Sequence, residues 1–316
     1  MASTVAVSTW ALVACVFSLA SAAPSCKTID ELKYRRITCD NFDSAADFSE
    51  KLSREPSDKP TWLLIQNSHV PFIPPGAFAG LNVAVLQFKF VTVDAFDQNT
   101  PEMNPFSGLE SSLRRVYFYY GSSLPGSWGM LSNMYEMEEV RLVHYVGLNL
   151  TRDFNLLHHN IKTVYIVACN ISSVDSDWLA SLSNLEALVI RETDLRNFSR
   201  SWLPRPAPRF TTLDLPGNLL TKFPEELDES VPSLAFVNVE HNRITTFEEL
   251  PLGLLNRFGV QVNMMFNPVH CDCKLQFMLA YPSKWHYFLC HTPKKADVFD
   301  KYILDLTKEQ LCETTG

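Results

Sequence analysis

The chain has 316 residues, 46% of them hydrophobic and 20% charged, a balance that can support a buried core. Its 27 Lys and Arg against 35 Asp and Glu give a formal net charge of −8. That excess argues against nucleic acid or an anionic membrane as the main partner, because both need a basic footprint.

Residues 1–22 carry no charged side chain, 5–19 are largely apolar, and Ala20-Ser21-Ala22 fits the small-x-small cleavage rule. This predicts a signal peptide over 1–22 and a mature chain starting at Ala23, although the usual basic segment at its start is missing. The apolar run is short for a membrane-spanning helix, and Pro24 follows closely. With no second long apolar segment, and only Glu-Thr-Thr-Gly after Cys312, the sequence predicts a secreted protein without a membrane anchor. Asn149, Asn170 and Asn197 each open an Asn-x-Ser/Thr sequon and are candidate glycosylation sites on that route.

Residues 23–59 read as a small N-terminal cap. Cys26 and Cys39 flank a short segment, predicting a strand tied by one bridge. Residues 44–52 have helical spacing, with Phe48 and Leu52 four apart and Asp43 as the expected N-cap. A proline-broken polar connector, 55–60, follows.

Repeats are expected over 60–268. The clearest stretch reads Leu185-x-x-Leu188-x-Ile190-x-x-Thr193-x-Leu195, then Phe210-x-x-Leu213-x-Leu215-x-x-Asn218-x-Leu220. The template predicts a short strand, a polar ladder residue and a return segment, and such units must stack to bury their apolar faces. Earlier units open at Leu63, Leu86 and Val116; 98–105 is a polar insert in the second return. Later strands open at Val140, Val164, Leu188, Leu213, Val237 and Val262, at steps of 24 or 25 residues, about nine units in all. Ser68, Gly121, Cys169, Thr193, Asn218 and Asn242 fall at the ladder position. Cys169 therefore reads as a buried thiol packed as a small apolar group rather than a reactive nucleophile.

Asn267-Pro-Val-His-Cys271-Asp-Cys273 ends the array, and 269–316 reads as a C-terminal cap completed by Cys290 and Cys312. Residues 274–280 look helical, and Thr307-x-x-Gln310 resembles a capping box. This cysteine cluster resembles the C-terminal cap of extracellular leucine-rich-repeat proteins such as Slit and the Toll ectodomains. The resemblance implies an α/β solenoid, a horseshoe with a parallel concave sheet between disulfide-bonded caps, with Cys271 paired to Cys290 and Cys273 to Cys312. The N-terminal cap, with two cysteines instead of four, departs from the commoner form. The overall organisation most resembles an arthropod group that includes the non-catalytic subunit of the Oplophorus luciferase.

In such a solenoid the residues between the apolar strand positions face solvent. Read that way, Lys89, Phe90, Tyr117, Tyr119, Tyr120, Arg141, His144 and Tyr165 form one aromatic and cationic patch in the N-terminal half. Tyr117, Arg141 and Tyr165 share a phase and are expected to stack as a column. Tyr and Arg are enriched at binding hot spots, which points to protein binding, although strand propensity alone also favours Tyr. Arg191, Glu192, Asp214, Asn238, Glu240 and His241 continue the face.

No Gly-x-Ser-x-Gly elbow, phosphate-binding glycine loop or His-Glu-x-x-His is present. The adjacent His158-His159 reads as a solvated turn, and His270 beside disulfide cysteines does not read as a zinc ligand. The expectation is a non-enzymatic interaction module without metal or cofactor whose partner is another extracellular protein. The luciferase resemblance implies instead a stabilising subunit of a secreted enzyme.

Overall fold

The computed structural model describes residues 22–55, 57–96, 104–292 and 295–312; the expected signal peptide, apart from Ala22, and most of the insert 98–105 lie outside them. In chain order the strands are β1 Ser25–Asp30, β2 Arg35–Asp40, β3 Thr61–Val70, β4 Val83–Val93, β5 Arg115–Tyr119, β6 Glu139–Val143, β7 Leu148–Leu150, β8 Thr163–Val167, β9 Ile171–Val174, β10 Ala187–Arg191, β11 Thr212–Asp214, β12 Phe236–Asn238 and β13 Gln261–Asn263. Eleven of them form one sheet in the order β1-β2-β3-β4-β5-β6-β8-β10-β11-β12-β13, while β7 and β9 pair separately. β1 and β2 are an antiparallel hairpin with Cys26 opposite Cys39, and every later pair is parallel. Parallel neighbours require a crossover, which each return segment supplies behind the sheet.

The register follows the apolar template. Val116, Val140, Val164, Leu188, Leu213, Val237 and Val262 lie side by side, all under 5% exposed. Two residues on, Phe118, Leu142, Ile166 and Ile190 are fully buried on the same side. The space behind the sheet holds a run of rings: Phe88 stacks on Phe118, which meets Trp128, then Phe154, Trp178 and Trp202, at centroid spacings of 4.6–6.5 Å. Aromatic side chains fill this layer, so the return segments need only short 3-10 turns, as at Trp128–Leu131, Arg152–Leu156 and Arg200–Trp202.

The ladder locks neighbouring units. Asn218 Oδ1 accepts from Thr193 N (3.0 Å) and Thr193 Oγ1 (2.6 Å), and its Nδ2 donates to Ile190 O (2.7 Å) and Leu215 O (3.0 Å). Asn242 and Asn267 repeat the Nδ2 bonds, while their Oδ1 accepts from Leu220 N and Ile244 N, two residues beyond the ladder position. Cys169 occupies the same position: its Sγ lies 3.4 Å from Tyr145 N and donates to Val167 O at 3.2 Å, and it is 3% exposed. Burial pushes this thiol above its usual range.

Two local expectations are corrected, and two details are added. Asp43 does not cap the first helix; the helix is only Asp47–Glu50, and Asp47 Oδ2 accepts instead from the backbone of Asp43 and Ser44. Gly121 is not the ladder residue of its unit. It takes a left-handed turn (φ 67°), and the next residue, Ser122, accepts from Val91 N at 3.1 Å. The segment Cys273–Ala280 is helical as expected, wound as a 3-10 helix, with the Asp272 side chain accepting from Lys274 N. The return before β13 contains an unforeseen α-helix, Glu249–Arg257, whose Pro251 falls in the first turn, where a missing N–H costs nothing.

Disulfides join Cys26 to Cys39, Cys271 to Cys290 and Cys273 to Cys312; Cys169 is the free cysteine among the described residues. At the chain end Thr307 N donates to Gln310 Oε1 and Gln310 N to Thr307 Oγ1, a reciprocal cap on the helix Lys308–Cys312. No helix among the described residues is long and apolar enough to cross a membrane.

Candidate functional site

Strand alternation turns Gln87, Tyr117, Arg141 and Tyr165 outward in one column across β4, β5, β6 and β8. Arg141 Cζ lies 4.9 Å from the Tyr117 ring centre and 4.2 Å from that of Tyr165, so the guanidinium is held between two aromatic faces. Its Nη2 donates to Glu139 Oε1 at 2.8 Å, and Arg115 Nε lies 3.8 Å from the other Glu139 oxygen. Burial by itself lowers the Arg141 pKa; the Glu139 carboxylate and the Tyr117 and Tyr119 phenols act against it, and the net shift is upward. Burial, then Glu139, pushes the Tyr117 phenol well above its ordinary range.

Tyr117 is only 7% exposed. Trp62 and Tyr119 meet its ring edge-on at 6.4 and 6.2 Å, so it backs Arg141 and presents little surface of its own. Its phase turns it toward solvent, but the neighbours that cover it come from β3 and its own strand. Trp62 was missed. Its ring lies 4.5 Å from Arg36 Cζ and 6.0 Å from Tyr34, which extends the same cation–aromatic pattern to the N-terminal hairpin. Arg36 and Trp62 each stand one residue before the buried Ile37 and Leu63, outside a period that starts at the first apolar strand position. Glu139, which fixes both arginines, was missed for the same reason.

Lys89, Phe90, Tyr120 and His144 form the second part of the patch. Phe90 stacks on Tyr120 at 4.6 Å and Tyr120 on His144 at 4.7 Å. Lys89 Nζ lies 5.8 and 5.7 Å from the Phe90 and Tyr120 rings. Phe90 and Tyr120 are 50% and 41% exposed, and His144 is exposed. All three rings stand on left-handed residues, Phe90 within β4 and Tyr120 and His144 directly after β5 and β6, with φ of 54°, 54° and 59°. The same turn recurs at Ala168, Glu192, Gly217, His241 and Phe266. Its N–H continues the ladder, as from His144 N to Val167 O and from Ala168 N to Arg191 O.

The C-terminal half of the face differs. Arg191 binds the Asp214 carboxylate, Asn238 Nδ2 donates to Asp214 Oδ1 at 2.9 Å, and Asn263 Nδ2 to Glu240 Oε2 at 3.0 Å. Asp214, expected at the surface, is 3% exposed beneath Arg191. The sequon asparagines lie off this face: Asn149 is exposed on β7, accepting from Ser173 Oγ, and Asn170 and Asn197 are exposed in the returns. Hollows near the helix Glu249–Arg257 are lined by Lys222, Phe223, Glu225, Thr246, Glu248 and Pro251 and, beside them, by Glu226, Asp228 and Leu254, with no histidine or cysteine in the lining. The His158 and His159 rings lie 4.1 Å apart, and burial with the His159 charge lowers the His158 pKa. Among the described residues no three His, Cys, Asp or Glu side chains are placed to hold a metal ion.

The fold is a leucine-rich-repeat solenoid with disulfide-bonded caps, and the solved structures similar to it include leucine-rich-repeat proteins. Human 5T4, also called Wnt-activated inhibitory factor 1 or trophoblast glycoprotein, aligns over 93% of this chain and 100% of its own at 16% identity and a TM-score of 0.52. The Drosophila Toll–Spatzle complex aligns over 86% of this chain and 48% of the matched chain, at 13% identity and 0.51. An octameric complex of Latrophilin 3, Unc5D and the leucine-rich-repeat region of FLRT2 aligns over 79% and 82%, at 11% and 0.52. No protein-family profile and no curated protein matches the sequence.

Proposed function

We propose that this chain is a secreted, non-enzymatic binding module that engages another extracellular protein through the solvent face of the N-terminal half of its sheet. The observation that carries this reading is Arg141, fixed between Tyr117 and Tyr165 beside the exposed stack of Phe90, Tyr120 and His144. Preassembled aromatic and guanidinium groups bury area on binding with little loss of side-chain freedom. In this reading 1–22 is the signal peptide, 23–59 and 269–316 are caps, and glycans on Asn149, Asn170 and Asn197 leave the sheet face open. The solved complexes of Toll with Spatzle and of FLRT2 with Latrophilin 3 and Unc5D show solenoids of this architecture in protein assemblies.

Affinity capture from the native fluid, with mass spectrometry, identifies the partner. Arg141→Ala with Tyr120→Ala is expected to weaken that complex by about 2 kcal/mol or more. Arg191→Ala with Glu240→Ala, further along the face, matters less. The reverse ranking places the site in the C-terminal half and defeats the assignment. Capture of a stoichiometric secreted enzyme identifies the stabilising-subunit alternative.

A further inference from the structure

The first edge of the sheet is uncovered. The strand order begins at β1, and among the described residues nothing pairs with the outer side of Ser25–Asp30, most of which is exposed. The hairpin decides which backbone groups that edge offers. Glu31 N donates to Tyr34 O at 2.9 Å, and facing residues of an antiparallel pair alternate between bonded and unbonded, so Ile29 and Lys27 bond inward to Arg36 and Thr38. The other side of β2 agrees. Arg35 N donates to Pro60 O and Asn41 N to Gln66 O, so the odd-numbered residues of β2 point to β3 and the even-numbered ones to β1. The N–H and C=O groups of Cys26, Thr28 and Asp30 are left pointing outward. Pro24, just before them, has no N–H to extend the row. The side chains of Lys27 and Ile29 stand on the solvent face with Thr38 and Arg36. Ile29 is 59% exposed, and Lys27 has no hydrogen bond or ion pair among the described residues. Glu31 continues their phase and holds Arg36 Nε at 2.7 Å.

We propose that this edge pairs with the same strand of a second copy of the chain, antiparallel, about a twofold axis at Ile29. Outward backbone groups must meet outward groups, so the open registers set even-numbered residues against even-numbered ones. Centring the axis on Lys27 places like charges opposite each other. Centring it on Thr28 sets Lys27 against the apolar Ile29. Centring it on Ile29 sets that side chain on its own copy, at an unbonded position, where facing side chains approach closest. Lys27 then stands opposite Glu31 on both sides of the axis, and Thr28 and Asp30 exchange backbone bonds on both sides. A lysine in an edge strand ordinarily deters pairing; here it selects the register. A twofold of this kind keeps both solvent faces on one side, so the dimer presents two Arg141 columns in the same direction. The pairing does not depend on what those columns bind.

The test is sedimentation of the full chain, purified from a secretory host, across a concentration series, with amide hydrogen exchange at its two extremes. A reversible monomer–dimer step is expected. The Thr28 and Asp30 amides should exchange slowly in the concentrated sample and fast in the dilute one, while the Lys27 and Ile29 amides, bonded within the hairpin, are slow in both. Lys27→Glu and Glu31→Lys should each raise the dimer dissociation constant about tenfold, because both cross-strand charge pairs become like-charged. Mixing the two variants should restore wild-type association as heterodimers, since each supplies the charge the other lacks. Thr28→Pro removes an outward N–H and no internal bond, so it should abolish pairing with circular dichroism unchanged. A chain still monomeric at about 1 mM, where weak interfaces are populated, overturns the proposal. So does a dimer whose Thr28 and Asp30 amides remain fast, or a mixture of the two variants that associates no more tightly than either alone. If those amides slow only when a captured extracellular protein is added, the edge belongs to that partner and self-pairing is refuted.

Discussion

Asn218→Leu isolates what the ladder contributes. The side chains are close in size, so the change removes hydrogen bonds without opening a large cavity. Asn218 is 3% exposed and its amide is fully used, by Thr193 N, Thr193 Oγ1, Ile190 O and Leu215 O. Leu215 O keeps a second donor, Asn242 Nδ2 at 2.8 Å, and the Thr193 hydroxyl can rotate. Two buried backbone groups are then left without partners: the Thr193 N–H and the Ile190 carbonyl. At about 1–3 kcal/mol for each unsatisfied buried group, the expected loss is roughly 4 kcal/mol. Urea unfolding followed by circular dichroism measures it, with hydrogen exchange at the Thr193 amide reporting whether opening begins there. A loss below about 1 kcal/mol, or unchanged protection of that amide, would refute the view that this asparagine locks two units together.

Leu188→Ala and Leu213→Ala, both at fully buried strand positions, should each cost about 2–5 kcal/mol in the same titration, and a surface-like change below about 0.5 kcal/mol would mean the core is elsewhere. Cys169 should resist alkylation in the native chain and react on unfolding, since burial raises its pKa and closes access; mass spectrometry after native labelling checks this, and prompt modification contradicts it. The Tyr117 and Tyr145 phenols, both raised by burial, keep their protons in the folded chain after the unfolded chain has begun to lose them. Stability should therefore fall as pH rises past about 10, less steeply in Tyr145→Phe, as urea midpoints across alkaline pH would show.

The repeat register was legible because the constraint is one-sided: a strand position facing the core must be apolar, and the 24- or 25-residue step keeps that position in phase. The outward column at Tyr117, Arg141 and Tyr165 followed from the same phase. How far each outward side chain reaches solvent did not follow, because it depends on neighbours brought in by pairing. Trp62 covers Tyr117, and Arg191 covers Asp214, though 25 and 23 residues separate the paired contacts Trp62–Gln87 and Arg191–Asp214. The extra residue at Gly121 was invisible for a related reason: a left-handed glycine shifts the ladder to Ser122 without disturbing the apolar positions around it. The helix Glu249–Arg257 was obscured by Pro251 and Gly253, which depress helix propensity although the first turn tolerates proline.

The bridges at the two ends bear on how this molecule meets a protease. A solenoid whose units touch only their neighbours ordinarily comes apart from its tips, where a terminal unit has one neighbour to lose. Here Cys26–Cys39 ties the first hairpin, and Cys271–Cys290 with Cys273–Cys312 ties the last segment, so both tips are stitched. Opening then falls to the interior, where one stretch lacks the asparagine ladder: Val91, Ser122 and Tyr145 stand where later units carry the four-bond asparagine. A first cut in that stretch would leave two capped halves, each with one raw edge and its own disulfides intact, a fragment pattern that end-first digestion does not produce.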